Sequence, residues 1–247
     1  MDMNFLFLRK AILLIHGFAG GPWDYDNLSN DLQLYIDFDV YSFTLPGHDK
    51  MIISKVTKDD WINEAEHQLE SLIEKGYKTI YVVGHSMGGV IACHLARKYN
   101  QVKKLVLAAP AFRYFVFKDD KLDVIDSLKQ MTTLFKDYKP NVVLSRIFKI
   151  PVSTARQFMK LVDEHHSDPK DITCPVLIIQ GLNDKVVPLE SSSYVYKNIK
   201  SDIKLLYKVK NVTHDVFRGE RGSEINKLVI DFFRSKNYLP RQEIKNI

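Results

Sequence analysis

Residues 79–89 read Thr79-Ile80-Tyr81-Val82-Val83-Gly84-His85-Ser86-Met87-Gly88-Gly89. The first five are β-branched or aromatic, and they predict a strand. Gly84 and Gly88 then bracket Ser86 in a Gly-x-Ser-x-Gly pattern. A helical pattern follows over residues 90–99, with Ile91, Leu95 and Ala96 on one face. A serine between a strand and a helix in so tight a turn needs small neighbours, because larger side chains would collide there. The turn also puts the hydroxyl at a helix N-terminus, where the macrodipole favours developing negative charge. Ser86 is therefore the candidate nucleophile.

Outward from this turn, short apolar runs recur at 11–15, 40–43, 105–108 and 176–179, with a mixed run at 203–209. Runs of this length bounded by turn residues predict buried parallel strands. Helical patterns lie between them. Thr57 with Asp60 forms a capping signal ahead of Trp61, Ile62, Ala65, Leu69, Leu72 and Ile73, and Gly76 ends that helix. A last helix is predicted over 224–234. Alternating strands and helices predict an α/β fold with a mainly parallel central sheet flanked by helices.

The alternation breaks over residues 111–170. This stretch is rich in aromatics and helical near 122–135 and 154–162, without convincing strands. It is too long for a plain loop. The expected organisation is one domain over 1–247, with a core of 1–110 and 171–247 and a helical cap insertion at 111–170.

A serine hydroxyl needs a base. In strand–turn–helix serine sites the acid and then the histidine follow the serine in the chain. Asp184, in Gly181-Leu182-Asn183-Asp184, lies just past the 176–179 run. His214 lies in a polar loop after the 203–209 run. Both fall at the C-terminal ends of predicted parallel strands, the sheet edge where ligands bind. Asp215 and Asp202 are rival acids, but Asp215 is adjacent to His214 in sequence and poorly placed to bond its ring. The oxyanion of an acyl-transfer intermediate needs backbone donors. One is the N–H of Met87; the other comes from the loop His16-Gly17-Phe18-Ala19-Gly20-Gly21.

The remaining histidines carry weaker signals. His16 reads as structural, and His48 as a residue that could line the site edge. His67 and His94 fall in helices and read as surface or packing residues. His165-His166 lacks an acidic or cysteine partner at metal-ligand spacing, so no metal is expected there. No cofactor is expected either.

Composition bounds the alternatives. Hydrophobic residues make up 45% and charged residues 26%, as in ordinary globular enzymes. The net charge of +5 comes from bases scattered among acids, which argues against nucleic acid as a partner. Cys93 and Cys174 read as free thiols. Asp2 precedes the short apolar run at the N-terminus and Arg9-Lys10 follow it, so the stretch does not read as a signal peptide. No run is long enough for a membrane helix. The expected setting is cytoplasmic, and the expected partner a small-molecule ester.

Together, His16-Gly17-Phe18, Pro46-Gly47-His48, Gly84-His85-Ser86-Met87-Gly88-Gly89, Gly181-Leu182-Asn183-Asp184 and Thr213-His214 resemble the α/β-hydrolase superfamily. Within it, the chain is similar to small bacterial carboxylesterases and monoacylglycerol-lipase-like serine hydrolases. The resemblance implies Phe18 N–H as the second oxyanion donor and the insertion as a lid shaping an acyl pocket. After His16-Gly17-Phe18 the chain departs from the Gly-Glu-His of many monoacylglycerol lipases. The implied activity is carboxylic ester hydrolysis through a Ser-His-Asp triad of Ser86, His214 and Asp184. A peptidase, lactonase, C–C hydrolase or acyltransferase would use the same residues, and a non-catalytic binding protein on this scaffold is a further alternative.

Overall fold

The computed structural model describes residues 10–49, 55–113, 117–118, 121–122, 151–237 and 241–247. Within these, strands β1 (Lys10–Ile15), β2 (Asp39–Ser42), β3 (Thr79–His85), β4 (Val102–Ala108), β7 (Val176–Gly181), β8 (Lys204–Val209) and β9 (Gln242–Asn246) form one sheet. Its order is β2-β1-β3-β4-β7-β8-β9, and every neighbouring pair is parallel. Two short strands, β5 (Phe117–Lys118) and β6 (Lys121–Leu122), pair separately as an antiparallel hairpin. The helices are α1 (Leu28–Tyr35), α2 (Lys58–Glu74), α3 (Met87–Lys98), α4 (Val152–His165), α5 (Leu189–Asn198) and α6 (Gly222–Arg234), with 3₁₀ turns at Pro22–Tyr25 and Asp168–Asp171.

The alternation of side chains along each strand divides the core in two. Ala11, Leu13 and Ile15 of β1 join Ile80, Val82, Leu105, Leu107, Val176 and Ile178 on one face. That face packs under α2, α3, α4 and α5 through residues such as Trp61, Leu69, Ile91, Leu161 and Val195. Ile12, Leu14, Val83, Val106, Leu177 and Ile179 line the other face against Leu28 and Leu32 of α1 and Ile225, Val229 and Phe233 of α6. Covering both faces is why the central strands are apolar throughout rather than alternating. On β4, Lys104 is the exception. Its buried ammonium donates to the carbonyls of Phe232, Phe233 and Ser235 at 3.1, 2.8 and 2.7 Å, satisfying the open end of α6.

The predicted strands and the three predicted helices are present, with shifted ends. The helix after Ser86 starts at Met87 rather than 90, and the last starts at Gly222 rather than 224. Thr57 forms the full capping box with Asp60. Three elements escape the sequence reading. Helix α1 buries only Leu28 and Leu32 and has no side-chain cap. Helix α5 carries Ser191-Ser192-Ser193, residues of modest helix propensity, and is stabilised by packing instead. Strand β9 is polar because it lies on the sheet edge.

In the insertion, the expected 154–162 helix lies within α4. The β5–β6 hairpin also escapes the sequence reading, since two-residue strands are too short to leave a periodic signal, and it lies outside the central sheet. The 122–135 helix lies outside the described residues apart from its first position. Among the described residues no helix is long and apolar enough to cross a membrane.

Candidate active site

At the end of β3 the chain reverses through Ser86, whose backbone takes φ 54° and ψ −115° before α3 begins. Positive φ at a non-glycine residue is strained, and the surrounding contacts hold it. Ser86 N donates to Ala108 O at 2.9 Å, and Ser86 O accepts from Gly89 N and Ala111 N at 3.0 and 3.2 Å. The side chain of Ser86 makes no capping bond to α3.

The glycines around it are set by backbone approach. A Cβ on Gly88 would lie 2.0 Å from Ile15 O and 2.6 Å from His16 O. One on Gly84 would lie 2.3 Å from Gly88 O. One on Gly17 would lie 3.1 Å from Ser86 Cβ, so the 16–18 loop rests directly against the serine. Gly88→Ala is therefore expected to push that loop away at a cost of about 2–3 kcal/mol, lowering Tm by roughly 5–10 °C. Gly89→Ala meets Pro110 Cβ at 3.1 Å and should cost less. Calorimetry of the two variants checks this; equal stabilities would refute the close approach at Gly88.

His16 holds the base of the 16–18 loop. Its Nδ1 lies 2.8 Å from Gly17 O and its Nε2 accepts from Leu45 N at 2.9 Å. A carbonyl can only accept and an amide N–H only donate, so the ring is the neutral Nδ1–H tautomer. Burial pushes its pKa down to about 4, which keeps it so. Its reading as structural fits this geometry. His48 lies against it, with ring centroids 5.1 Å apart, and faces Phe18 and Trp61. Phe158 of α4 stacks on Phe18 at 5.0 Å, and Trp61 meets Phe18 edge-on at 5.8 Å. This apolar wall joins the 16–18 loop to α4.

Asp184 and His214 come together at the same sheet edge. His214 Nδ1 lies 2.9 Å from Asp184 Oδ2. Gly181 makes the meeting possible: a Cβ there would strike Val212 O at 2.3 Å and Thr213 O at 2.5 Å. Asn183 N donates to Val212 O, clamping the two loops. Gln180 Nε2 donates to Asp184 Oδ2 at 2.7 Å, and Val186 and Val187 N donate to Oδ1 at 2.8 and 2.9 Å. Burial opposes the charge of Asp184. The His214 bond and charge and the two amides outweigh it, and the carboxyl is held below its ordinary range. The rival acids Asp215 and Asp202 make no bond to the His214 ring among the described residues.

Two contributors went unread in the sequence. His85 Nε2 donates to His214 O at 2.9 Å, so the residue before Ser86 fixes the histidine loop. Its Nδ1 lies 3.7 Å from Asp24 Oδ2. Burial works against a charged His85 ring, but Asp24 and the His214 carbonyl more than offset it and raise its pKa. Asp24 also lies 3.4 Å from Gly17 N. A Cβ on Gly20 would overlap Asp24 Oδ2, so that glycine leaves room for the carboxylate. No local pattern marks Asp24, because its partner His85 lies 61 residues further along the chain.

Residues 10–133, half of the chain, match the family model of the alpha/beta hydrolase fold. The chain belongs to the α/β-hydrolase family. Residues 137–221 match the family model of the serine aminopeptidase, S33. The thermostable monoacylglycerol lipase of Bacillus sp. (strain H-257) is 25% identical over 207 residues, 83% of this chain and 82% of that protein. A carboxylesterase of Bacillus subtilis is 21% identical over 237 residues, 93% and 94% of the two chains. Among solved structures, Paleococcus ferrophilus monoacylglycerol lipase superposes with a TM-score of 0.67 at 20% identity, covering 90% of this chain and 93% of that one. A metagenome-derived lipolytic enzyme gives 0.72 at 22% identity over 92% and 94%. At these identities the structural likeness shows the fold.

Away from this edge, the sequence expectation for His165 needs correction. His94 is buried, as a packing residue is, and its ring also carries a polar contact. Its Nε2 lies 2.7 Å from Glu66 Oε1. His165 has an acidic partner after all: its Nδ1 lies 2.9 Å from Asp168 Oδ2. Helix α4 ends at His165, and the 3₁₀ turn at Asp168–Asp171 brings the carboxylate back over it. His94, from α3, completes a buried group of three potential metal ligands. His67 is exposed on α2, as expected.

Proposed function

We propose that this α/β hydrolase is a serine carboxylesterase, with Ser86, His214 and Asp184 as its catalytic triad. The observation that carries the reading is the 2.9 Å bond between His214 Nδ1 and Asp184 Oδ2, with the His214 ring 4.9 Å from that of His85, the residue before a serine held at positive φ. With Nδ1–H donated to Asp184, His214 keeps its lone pair on Nε2. Nε2 takes the proton of Ser86 Oγ as the oxygen attacks the ester carbonyl. The N–H groups of Phe18 and Met87 receive the oxyanion. The intermediate collapses, His214 gives its proton to the leaving alkoxide, and an acyl-enzyme remains. Water activated by His214 then releases the acid and restores Ser86.

The wall of Phe18, Trp61 and Phe158 supports an apolar acyl or aryl group. The named activities of the lipase and carboxylesterase relatives support esters as substrates. A second reading, aminopeptidase, is favoured by the match over residues 137–221. An aminopeptidase needs a carboxylate to hold the substrate ammonium. Among the described residues, Asp24 lies beside the elbow but faces His85 and Gly17 N.

A fluorophosphonate probe followed by peptide mass spectrometry tests the nucleophile. One adduct is expected, on Ser86. No adduct would leave a binding protein on a hydrolase scaffold. Turnover of acyl p-nitrophenyl esters and monoglycerides, with aminoacyl p-nitroanilides untouched, is the expected substrate pattern; the reverse pattern would favour the aminopeptidase.

A further inference from the structure

Helix α3 carries His94 two turns beyond Ser86, and α4 ends on His165 just before Asp168. The three side chains are buried, and their ligand atoms lie within 4.8 Å of one another. The arrangement of donors is unusual for a simple hydrogen-bonded contact. His94 Nε2 lies 2.7 Å from Glu66 Oε1, so its Nε2–H is directed at that carboxylate and Nδ1 is directed away from it. That Nδ1 is buried and has no hydrogen-bond partner among the described residues. It faces Asp168 Oδ2 at 3.8 Å, while His165 Nδ1 approaches the same oxygen at 2.9 Å. The 3.8 Å gap is too long for a hydrogen bond and leaves room for a ligated ion between ring nitrogen and carboxylate.

We propose that His94, His165 and Asp168 form a binding site for one divalent transition-metal ion of the zinc class. Two imidazoles and one carboxylate suit such an ion better than magnesium or calcium, which take oxygen. Ligand bonds of about 2.0–2.1 Å in a tetrahedron set ligand atoms roughly 3.3 Å apart, so the widest separation closes by about 1.5 Å at most and the 2.9 Å His165–Asp168 contact opens slightly. Glu66 already stands behind His94 in the carboxylate–histidine–metal arrangement that orients a metal-binding ring. Arg97 Nε bonds the other oxygen of Asp168, Oδ1, at 3.2 Å and leaves Oδ2 to the ion. On binding, the His165 ring proton moves from Nδ1 to Nε2 through solvent, and His94 ligates as its Nε2–H form. Water fills the fourth position. The ion would clamp the stem of the insertion, α4 and its 3₁₀ turn, to the helix that begins just after Ser86. It takes no part in the triad chemistry.

The test uses the whole protein, freed of metal with a chelator and titrated with Co(II), whose visible d–d absorption reports four-coordinate binding. One Co(II) per chain is expected, displaced by Zn(II), with a rise in Tm. His165→Gln and Asp168→Asn should abolish the Co(II) spectrum while near-ultraviolet circular dichroism stays native. Glu66→Gln should weaken binding about 10–100-fold. His214→Ala, His166→Ala and His67→Ala should leave it, which separates this site from the active-site and surface histidines. The wild-type titration decides even where a variant does not fold. No saturable Co(II) spectrum, or a spectrum that survives in folded His165→Gln, would overturn the proposal and leave the cluster a hydrogen-bonded latch.

Discussion

Ser86→Ala is expected to lower kcat on a p-nitrophenyl ester by about a million-fold. The hydroxyl makes no capping bond, so its removal orphans no partner in α3. Alanine keeps the Cβ, and the bonds from Ser86 N to Ala108 O and from Gly89 N to Ser86 O hold the strained backbone as before. The variant should therefore fold and bind substrate with KM little changed, since Phe18, Met87 and the aromatic wall are untouched. What disappears is the oxygen that bonds the acyl carbon. The residual rate, about 10³–10⁴ above water, belongs to the oxyanion donors and to binding. Steady-state kinetics check this. A kcat within tenfold of wild type would remove Ser86 from the chemistry.

Asp184→Asn comes second, with an expected loss of about 10⁴ in kcat. Asp184 is an acceptor in all four of its bonds, two at each oxygen. The substituted amide can still accept from Val186 and Val187 through its oxygen. Its NH₂ then faces His214 Nδ1, which must become the acceptor. The ring proton moves to Nε2, and the base can no longer take the proton of Ser86. The fold has a way to tolerate the change. Gln180 Oε1 is buried without a partner among the described residues, and a flip of that amide lets it accept from the new NH₂ group at the cost of the 3.3 Å bond from Gln180 Nε2 to Val187 O. Stability should thus fall far less than activity, which steady-state kinetics and calorimetry on the same variant compare. Asp215→Asn is the control and should leave kcat close to wild type. If Asp215→Asn were the damaging variant, the assignment of Asp184 would fail.

These two variants also mark where the sequence is easiest and hardest to read. Ser86 is legible because its requirements are local. A strand, two glycines and a helix follow one another in the chain, and the turn chemistry needs only those neighbours. Asp184 and His214 are legible by order and by position at strand ends, because parallel strands deliver their C-terminal residues to one edge. Asp24, Gln180 and His85 are not. Asp24 meets His85 through the packing of neighbouring strands β1 and β3, and Gln180 reads as one more residue at the end of an apolar run. Helix α5 escapes for a related reason. Ser191 is helical because its hydroxyl reaches Pro110 O and it packs under β7, and no local preference announces that.

By itself, then, the sequence determined the alternation of strands and helices, the tight turn at Ser86 and the placing of Asp184 and His214 at strand ends. Each depends on periodicity, propensity or backbone sterics, which act over a few residues. The tertiary structure alone decided what the glycines are for, since the carbonyls they admit at Gly88 and Gly181 come from loops far away in the chain. It also decided that His94, His165 and Asp168 meet. Their meeting depends on how α4 packs on α3, and the buried polar atoms that result carry no signature in the chain.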